Sequence, residues 1–371
     1  MSATGKNTSY GNASLREKLG MIASLLFQLP PVLLWALLSS PFHPVNSYLS
    51  WKRVLINKAC YFFSTRLSYR QVQWASGTTR DVYDGWAKSN KLPIVVDELG
   101  EGAQLLWIGE RRTDKVLLYL PGGAFLLPMA IFAPNFWKHV HGELKSKHQE
   151  VGIAILQYSL IPTATFPTPL KQTVLAIHHL LSTGVHPQNI QLAGESAGAN
   201  LILQFIAHVL HPIPEVPILN LSAPLRGVYL LSPWVSLTSE IESMTLNEGS
   251  DMINAATLLY WGREVLAGVP ETQVAYLEPL KAPEAWFDGM DRVVERVLIT
   301  GGDAECLRDS IVRLAEQIEK QYGKEGAVTF VLQKFAVHND PFLDFMLPGM
   351  TVGELTPLIV EWLAAGFDSM A

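Results

Sequence analysis

The pentapeptide Gly194-Glu195-Ser196-Ala197-Gly198 constrains this chain more than any other stretch. The partly β-branched run Ile190-Gln191-Leu192-Ala193 leads into it, and a helical pattern over 199–210 leads out. A serine at so sharp a strand-to-helix turn takes up a strained backbone. Strand and helix then come so close that only small residues fit two places before and two places after it. Gly194 and Gly198 supply that clearance. The serine Oγ stands above the sheet edge, at a helix N-terminus whose free N–H groups can meet a developing oxyanion. A tight structural turn produces the same short pattern. A nucleophile is therefore expected only if the chain also supplies a base, an acid and oxyanion donors in the right order.

The surrounding alternation predicts an α/β fold with a mostly parallel central sheet flanked by helices. Strands are expected over 94–96, 105–108, 116–120, 151–156, 190–193, 227–231, 297–300 and 328–332. The continuous apolar run 116–120 suits a strand covered on both faces. Helices are expected before His148 and over 170–181, 199–210, 307–322 and 352–364. Between 232 and 296 the alternation stops, and an aromatic-rich insertion, about 234–292, reads as a cap over the crevice at the C-terminal strand edge. With 371 residues, 49% hydrophobic and 17% charged, the chain can bury a large core and is not disordered. Its net charge of −6 and lack of a basic patch argue against nucleic acid as a partner. Cys60 and Cys306 show no metal-ligand spacing, so no metal is expected.

Three regions are expected: 1–44, a polar stretch plus a membrane anchor or membrane-associated helix; 45–92, a cap or entrance segment rich in aromatics; and 93–371, the catalytic domain. Residues 1–18 are polar and read as disordered or cytosol-facing. Residues 19–42 carry no charge and are long enough to cross a hydrocarbon core of about 30 Å. Pro30-Pro31 should kink that helix. A spanning anchor, a helix lying in or re-entering the interface, and a soluble cap helix all fit it. Residues 53–70 read as an amphipathic helix. No oligomeric state is legible.

A serine nucleophile needs a histidine base and a carboxylate to orient it. Of ten histidines only His338 follows a late strand, in the loop Lys334 to Pro341, which points it to the catalytic edge. The acid should follow the strand ending at Thr300. Asp303 and Glu305 both qualify by position, while Asp309 falls in the next helix. The loop Pro121-Gly122-Gly123-Ala124 after the strand 116–120 is small enough to place oxyanion donors, with Ala197 N–H completing the hole. Phe125, Glu195, Trp234, Trp261 and Trp286 are candidate pocket walls for a lipophilic small-molecule substrate.

Together these residues make the chain resemble the hormone-sensitive-lipase-like esterases of the α/β-hydrolase fold. The resemblance extends to their fungal membrane-associated branch, which includes sterol-ester deacetylases of the endoplasmic reticulum. The family's His-Gly-Gly-Gly loop corresponds to Pro121 to Ala124, and its Gly-Asp-Ser-Ala-Gly elbow to Gly194 to Gly198. Its Tyr-x-Leu-x-Pro and Phe-Pro segments correspond to Tyr158 to Pro162 and Phe166-Pro167. The family's acid precedes a Leu-Arg-Asp run, so Leu307-Arg308-Asp309 puts Glu305 in the acid slot, and the late histidine aligns with His338. The resemblance implies a serine esterase needing no cofactor, with Ser196, Glu305 and His338 as its triad. It also implies membrane association. Two departures stand out: Pro121 replaces a histidine that steadies the loop, and Ala124 replaces a glycine, with its N–H available if φ is negative. The same site leaves room for acyl transfer, lactonisation or condensation, and more remotely for a ligand receptor.

Overall fold

The structure is a computed structural model that describes residues 9–42 and 49–368. Eight strands form one sheet: β1 (Val95–Gly100), β2 (Ala103–Trp107), β3 (Val116–Leu120), β4 (Gly152–Gln157), β5 (Ile190–Glu195), β6 (Gly227–Leu231), β7 (Val297–Gly302) and β8 (Val328–Gln333). Their spatial order is β1-β2-β4-β3-β5-β6-β7-β8. Only β2 runs antiparallel to its neighbours, β1 and β4; every other pairing is parallel.

The run 116–120 is buried throughout because β3 is central and both its faces are covered. Val116, Leu118 and Leu120 join the core beneath the helices Thr168–Ser182, Ala197–Leu210 and Arg308–Tyr322. Leu117 and Tyr119 join the opposite core, under Ala133–Ser146 and Leu355–Asp368. The last helix begins later than its hydrophobic pattern suggests. Gly353 N–H donates to Asp344 Oδ2 at 2.8 Å, which fixes a non-helical segment just before it. The insertion after β6 holds the helices Glu242–Leu246, Ala255–Leu266 and Val274–Leu277. It reaches back over the strand ends: Asn247 Nδ2 donates to the carbonyl of Asp303 at 3.0 Å and to that of Glu305 at 2.8 Å.

The N-terminal stretch departs from expectation in three ways. Residues 1–8 lie outside the described residues, but 9–18 are ordered. Tyr10 Oη donates to the Gly77 carbonyl at 2.9 Å, and Ser14 with Glu17 forms a capping box that starts a helix at Leu15. That helix then runs 28 residues, Leu15–Phe42, about 42 Å at 1.5 Å per residue. The expected proline kink is taken up by a π-turn, Ser24–Gln28. Pro30 and Pro31 lack N–H groups, and their rings crowd the carbonyls four residues back, so a wider turn there accommodates both. Leu26, Phe27, Leu34, Trp35 and Leu38 are exposed along it. The expected helix over 53–70 is two: Trp51–Arg66, and Tyr69–Ser76 with its own capping box at Ser68.

Candidate active site

Ser196 directly follows β5 with φ 55° and ψ −117°, and the helix Ala197–Leu210 begins on the next residue. The two glycines of the motif have the steric role expected of them. A Cβ on Gly198 would lie 1.9 Å from the Leu120 carbonyl oxygen, and one on Gly194 would lie 2.6 Å from the backbone of Gly198. Neither distance is tolerable for a carbon. Ser196 N–H donates to the Leu231 carbonyl at 2.9 Å, and the Ser196 carbonyl accepts from Trp234 N–H at 3.2 Å. The nucleophile turn is thereby tied to the end of β6.

The expected acid and base meet directly. Glu305 Oε2 lies 2.8 Å from His338 Nδ1, and both side chains are buried. Glu305 Oε1 accepts from Gly302 N–H at 2.6 Å and from Ser232 Oγ at 3.0 Å. Burial alone pulls the His338 pKa down, but Glu305, with Asp251 and Glu195 farther off, outweighs it and leaves the imidazole raised above its ordinary value. Asp303 faces elsewhere: its Oδ1 accepts from Phe335 N–H at 2.5 Å, pinning the two catalytic-edge loops together. Of the two carboxylates that sequence position left open, Glu305 is the one set against His338. Among the described residues no hydrogen bond joins Ser196 Oγ to His338; Ser232 braces the Glu305 side instead, its Oγ donating to Glu305 and accepting from Asn339 N–H at 3.2 Å.

Three supporting residues escaped the sequence reading. Ser232 had a usable signal, since it directly follows β6 at the catalytic edge. Asp251 had none; it lies in the insertion, yet Oδ1 accepts from His338 N–H at 2.9 Å and Oδ2 from Cys306 N–H at 2.7 Å. Burial pushes its carboxyl up to about 6. Gln73, from the N-terminal region, donates to the carbonyls of Leu126 and Ile161 at 2.6 and 2.7 Å, bracing the segment beyond the oxyanion loop.

That loop is built without its usual histidine. Tyr158 Oη donates to the Pro121 carbonyl at 2.6 Å, and Gly122 N–H donates to Glu195 Oε1 at 2.7 Å. Gly122 thus shapes the loop. The N–H groups of Gly123, Ala124 and Ala197 are left without a protein acceptor among the described residues. The negative φ on which the Ala124 donor is made conditional is not found: Ala124 has φ 56° and Phe125 φ 59°, and the Ala124 N–H is left without a protein acceptor among the described residues all the same. Gly123 begins a tight turn, its carbonyl accepting from Leu126 and Leu127, and that turn carries the two following residues through the left-handed region.

The pocket is narrower in membership than expected. A small cavity beside this loop and the nucleophile helix is lined by Phe125, Ile161, Phe166, Gln204, Val265 and Leu277, among others. Phe125 is the one expected wall that lines it. Trp234 and Trp261 are buried in the core, and Trp286 stacks on His211 with ring centres 4.5 Å apart. Glu195 lies under the loop instead, also accepting from Tyr119 Oη at 2.8 Å. Burial pushes its carboxyl from 4.5 up to about 8. The unfolded chain ionises first, so stability should fall as pH rises from about 4.5 to about 8, by up to about 1.4 kcal/mol per pH unit. Thermal melts across that window should show a shallower decline for Glu195→Gln than for the native protein. Equal slopes would mean that Glu195 is ionised in the fold.

A family profile described as alpha/beta hydrolase fold matches residues 117–339, more than half of the chain. The chain belongs to the α/β-hydrolase fold family. A Schizosaccharomyces pombe protein, mug81, named provisionally as a steryl acetyl hydrolase, is 28% identical over 66% of this chain and 64% of its own length. The match thus spans a little less than two thirds of that relative. An acetyl-hydrolase of Streptomyces hygroscopicus is 29% identical over 60% of this chain and 68% of its own. The crystal structure of an esterase from the bacterial hormone-sensitive lipase family superposes on 85% of this hydrolase-fold chain and 98% of its own. Its TM-score is 0.64 at 21% identity, a likeness of fold. The resemblance to hormone-sensitive-lipase-like esterases is borne out.

Proposed function

We propose that this protein is a membrane-associated serine carboxylesterase that removes a short acyl group, acetyl above all, from a bulky lipophilic alcohol. The buried Glu305–His338 pair carries this reading, set beside a strained Ser196 and unpaired backbone donors. His338 takes the Ser196 proton as Oγ attacks the ester carbonyl, and Glu305 holds the ring and stabilises its cation. The N–H groups of Gly123, Ala124 and Ala197 receive the oxyanion. His338 returns the proton to the leaving alcohol, and water then releases the acid by the same route. The small, largely apolar cavity suits a short acyl chain. A sterol, terpenoid or polyketide alcohol is supported by the exposed apolar helix, which brings the site to where such molecules partition, and by the yeast relative's name. The endoplasmic reticulum is the membrane we assign, on the family resemblance.

The test is turnover of p-nitrophenyl acetate by the full chain, with covalent labelling of Ser196 by a fluorophosphonate. Neither occurring would reject a working serine site; labelling without turnover would move the chemistry to acyl transfer or condensation. Release of the full chain from membranes by alkaline carbonate would exclude a spanning helix.

A further inference from the structure

The helix Trp51–Arg66 carries a residue that the reaction as described does not use. Arg53 is 6% exposed. Its guanidinium donates through Nη1 to Asp344 Oδ1 at 2.6 Å and through Nη2 to the Asp340 carboxylate. Nη2 also reaches the Asp340 carbonyl at 3.2 Å, and Nε donates to Asn57 Oδ1 at 3.0 Å. The two carboxylates flank the short helix Asp340–Leu343, which begins two residues after His338. Asp340 in turn accepts from Val337 N–H at 3.2 Å, the residue just before His338. Three turns along the same helix, Ser64 Oγ donates to the Met252 carbonyl at 2.7 Å, next to Asp251, which holds His338 N–H. Between these points Ile56 packs on Val337 and Leu343. The helix thus grips the His338 loop from two sides, and its other flank packs against the apolar helix Leu29–Ser39.

We infer that Arg53 is a positioning residue for His338, and that through it the membrane-associated helices set the base against Ser196. The inference rests on the esterase reading for its effect on rate, but the grip itself does not. Arg53 touches neither substrate nor triad. It acts by fixing where the loop carrying His338 sits, and a misplacement of about 1 Å is enough to cost on the order of 100-fold in rate. A buried cation between two carboxylates would also matter if it only balanced charge, so the experiment must separate these roles.

The full chain is compared in lipid vesicles as native protein, Arg53→Met, Arg53→Lys, and the triple variant Arg53→Met, Asp340→Asn, Asp344→Asn. The triple variant leaves no buried carboxylate unpaired, and asparagine oxygens can still accept from Val337 and Gly353. Arg53→Met should lower kcat on p-nitrophenyl acetate by about 10-fold to 100-fold, with KM within about twofold. Amide exchange should rise across residues 334–346 and stay unchanged over 190–210. Arg53→Lys should recover part of kcat, because an ammonium lacks the planar fork that spans both carboxylates. The triple variant should regain thermal stability without regaining kcat. A triple variant as fast as the native protein would reduce Arg53 to charge balance and overturn the inference; so would unchanged exchange over 334–346 in Arg53→Met. If the native protein proves inactive, the esterase reading fails, and the exchange measurement still decides whether Arg53 holds the loop.

Discussion

His338→Asn is expected to lower kcat on p-nitrophenyl acetate by about 10⁵-fold or more, with KM little changed. The size follows from its place. The other two histidines that follow Ser196 are engaged elsewhere: His208 bonds to the Pro217 carbonyl, and His211 to the Trp286 carbonyl under a stacked indole. With the base gone, the serine proton has nowhere to go, and only the oxyanion donors and binding remain to accelerate the reaction. Combining it with Ser196→Ala should cost little more, because the two residues act as one unit. Rate losses that multiplied in the double variant would mean that a second nucleophile or base is at work.

Glu305→Gln should reduce kcat by about 10⁴-fold, since an amide favours the wrong imidazole tautomer and removes the charge that stabilises its cation. Asp303→Asn should stay within about threefold, because an asparagine oxygen can still accept from Phe335 N–H. The pH profile gives a second reading. His338 is raised above its ordinary value chiefly by Glu305 acting against burial, and the ring works as a base only when neutral. Activity in the native protein should therefore rise through a pKa above the usual imidazole range, and the residual activity of Glu305→Gln should rise at lower pH. A larger loss from Asp303→Asn than from Glu305→Gln would reassign the acid.

The nucleophile turn was legible because sterics dictate its residues. Gly194 and Gly198 answer to backbone atoms at fixed distances, so the motif survives any change of substrate. His338 was legible from chain order alone. The acid needed more: position could not separate Asp303 from Glu305, because both leave the same strand end and only the direction of the chain after Gly302 decides which one turns inward. Asp251 and Arg53 were out of reach, since each works through a contact made far along the chain, 87 residues from His338 in one case and 287 from Asp340 in the other. The tryptophans misled for a simpler reason. Large aromatics in a cap serve a core as readily as a pocket, and Trp234 and Trp261 fill the core. The backbone of Ala124 was left open by the sequence because a tight turn, rather than side-chain preference, sets it.

The contact between Gly198 and the Leu120 carbonyl reaches beyond the elbow itself. Leu120 is the last residue of β3, and the oxyanion loop starts on the next one. The ruler between the attacking oxygen and the donors that will hold its product charge is therefore main chain pressed on main chain. No side chain of the loop takes part in setting that length. Pro121 can stand in the histidine's place because Tyr158 and Glu195 hold the loop through its main chain, at the Pro121 carbonyl and the Gly122 N–H. Change is sterically open at Pro121 but closed at Gly122 and Gly123, where a Cβ would lie 2.6 Å and 2.4 Å from the carbonyl oxygens of Glu195 and Leu127. Inserting a single residue between Leu120 and Gly123 should be far more damaging than substituting Pro121.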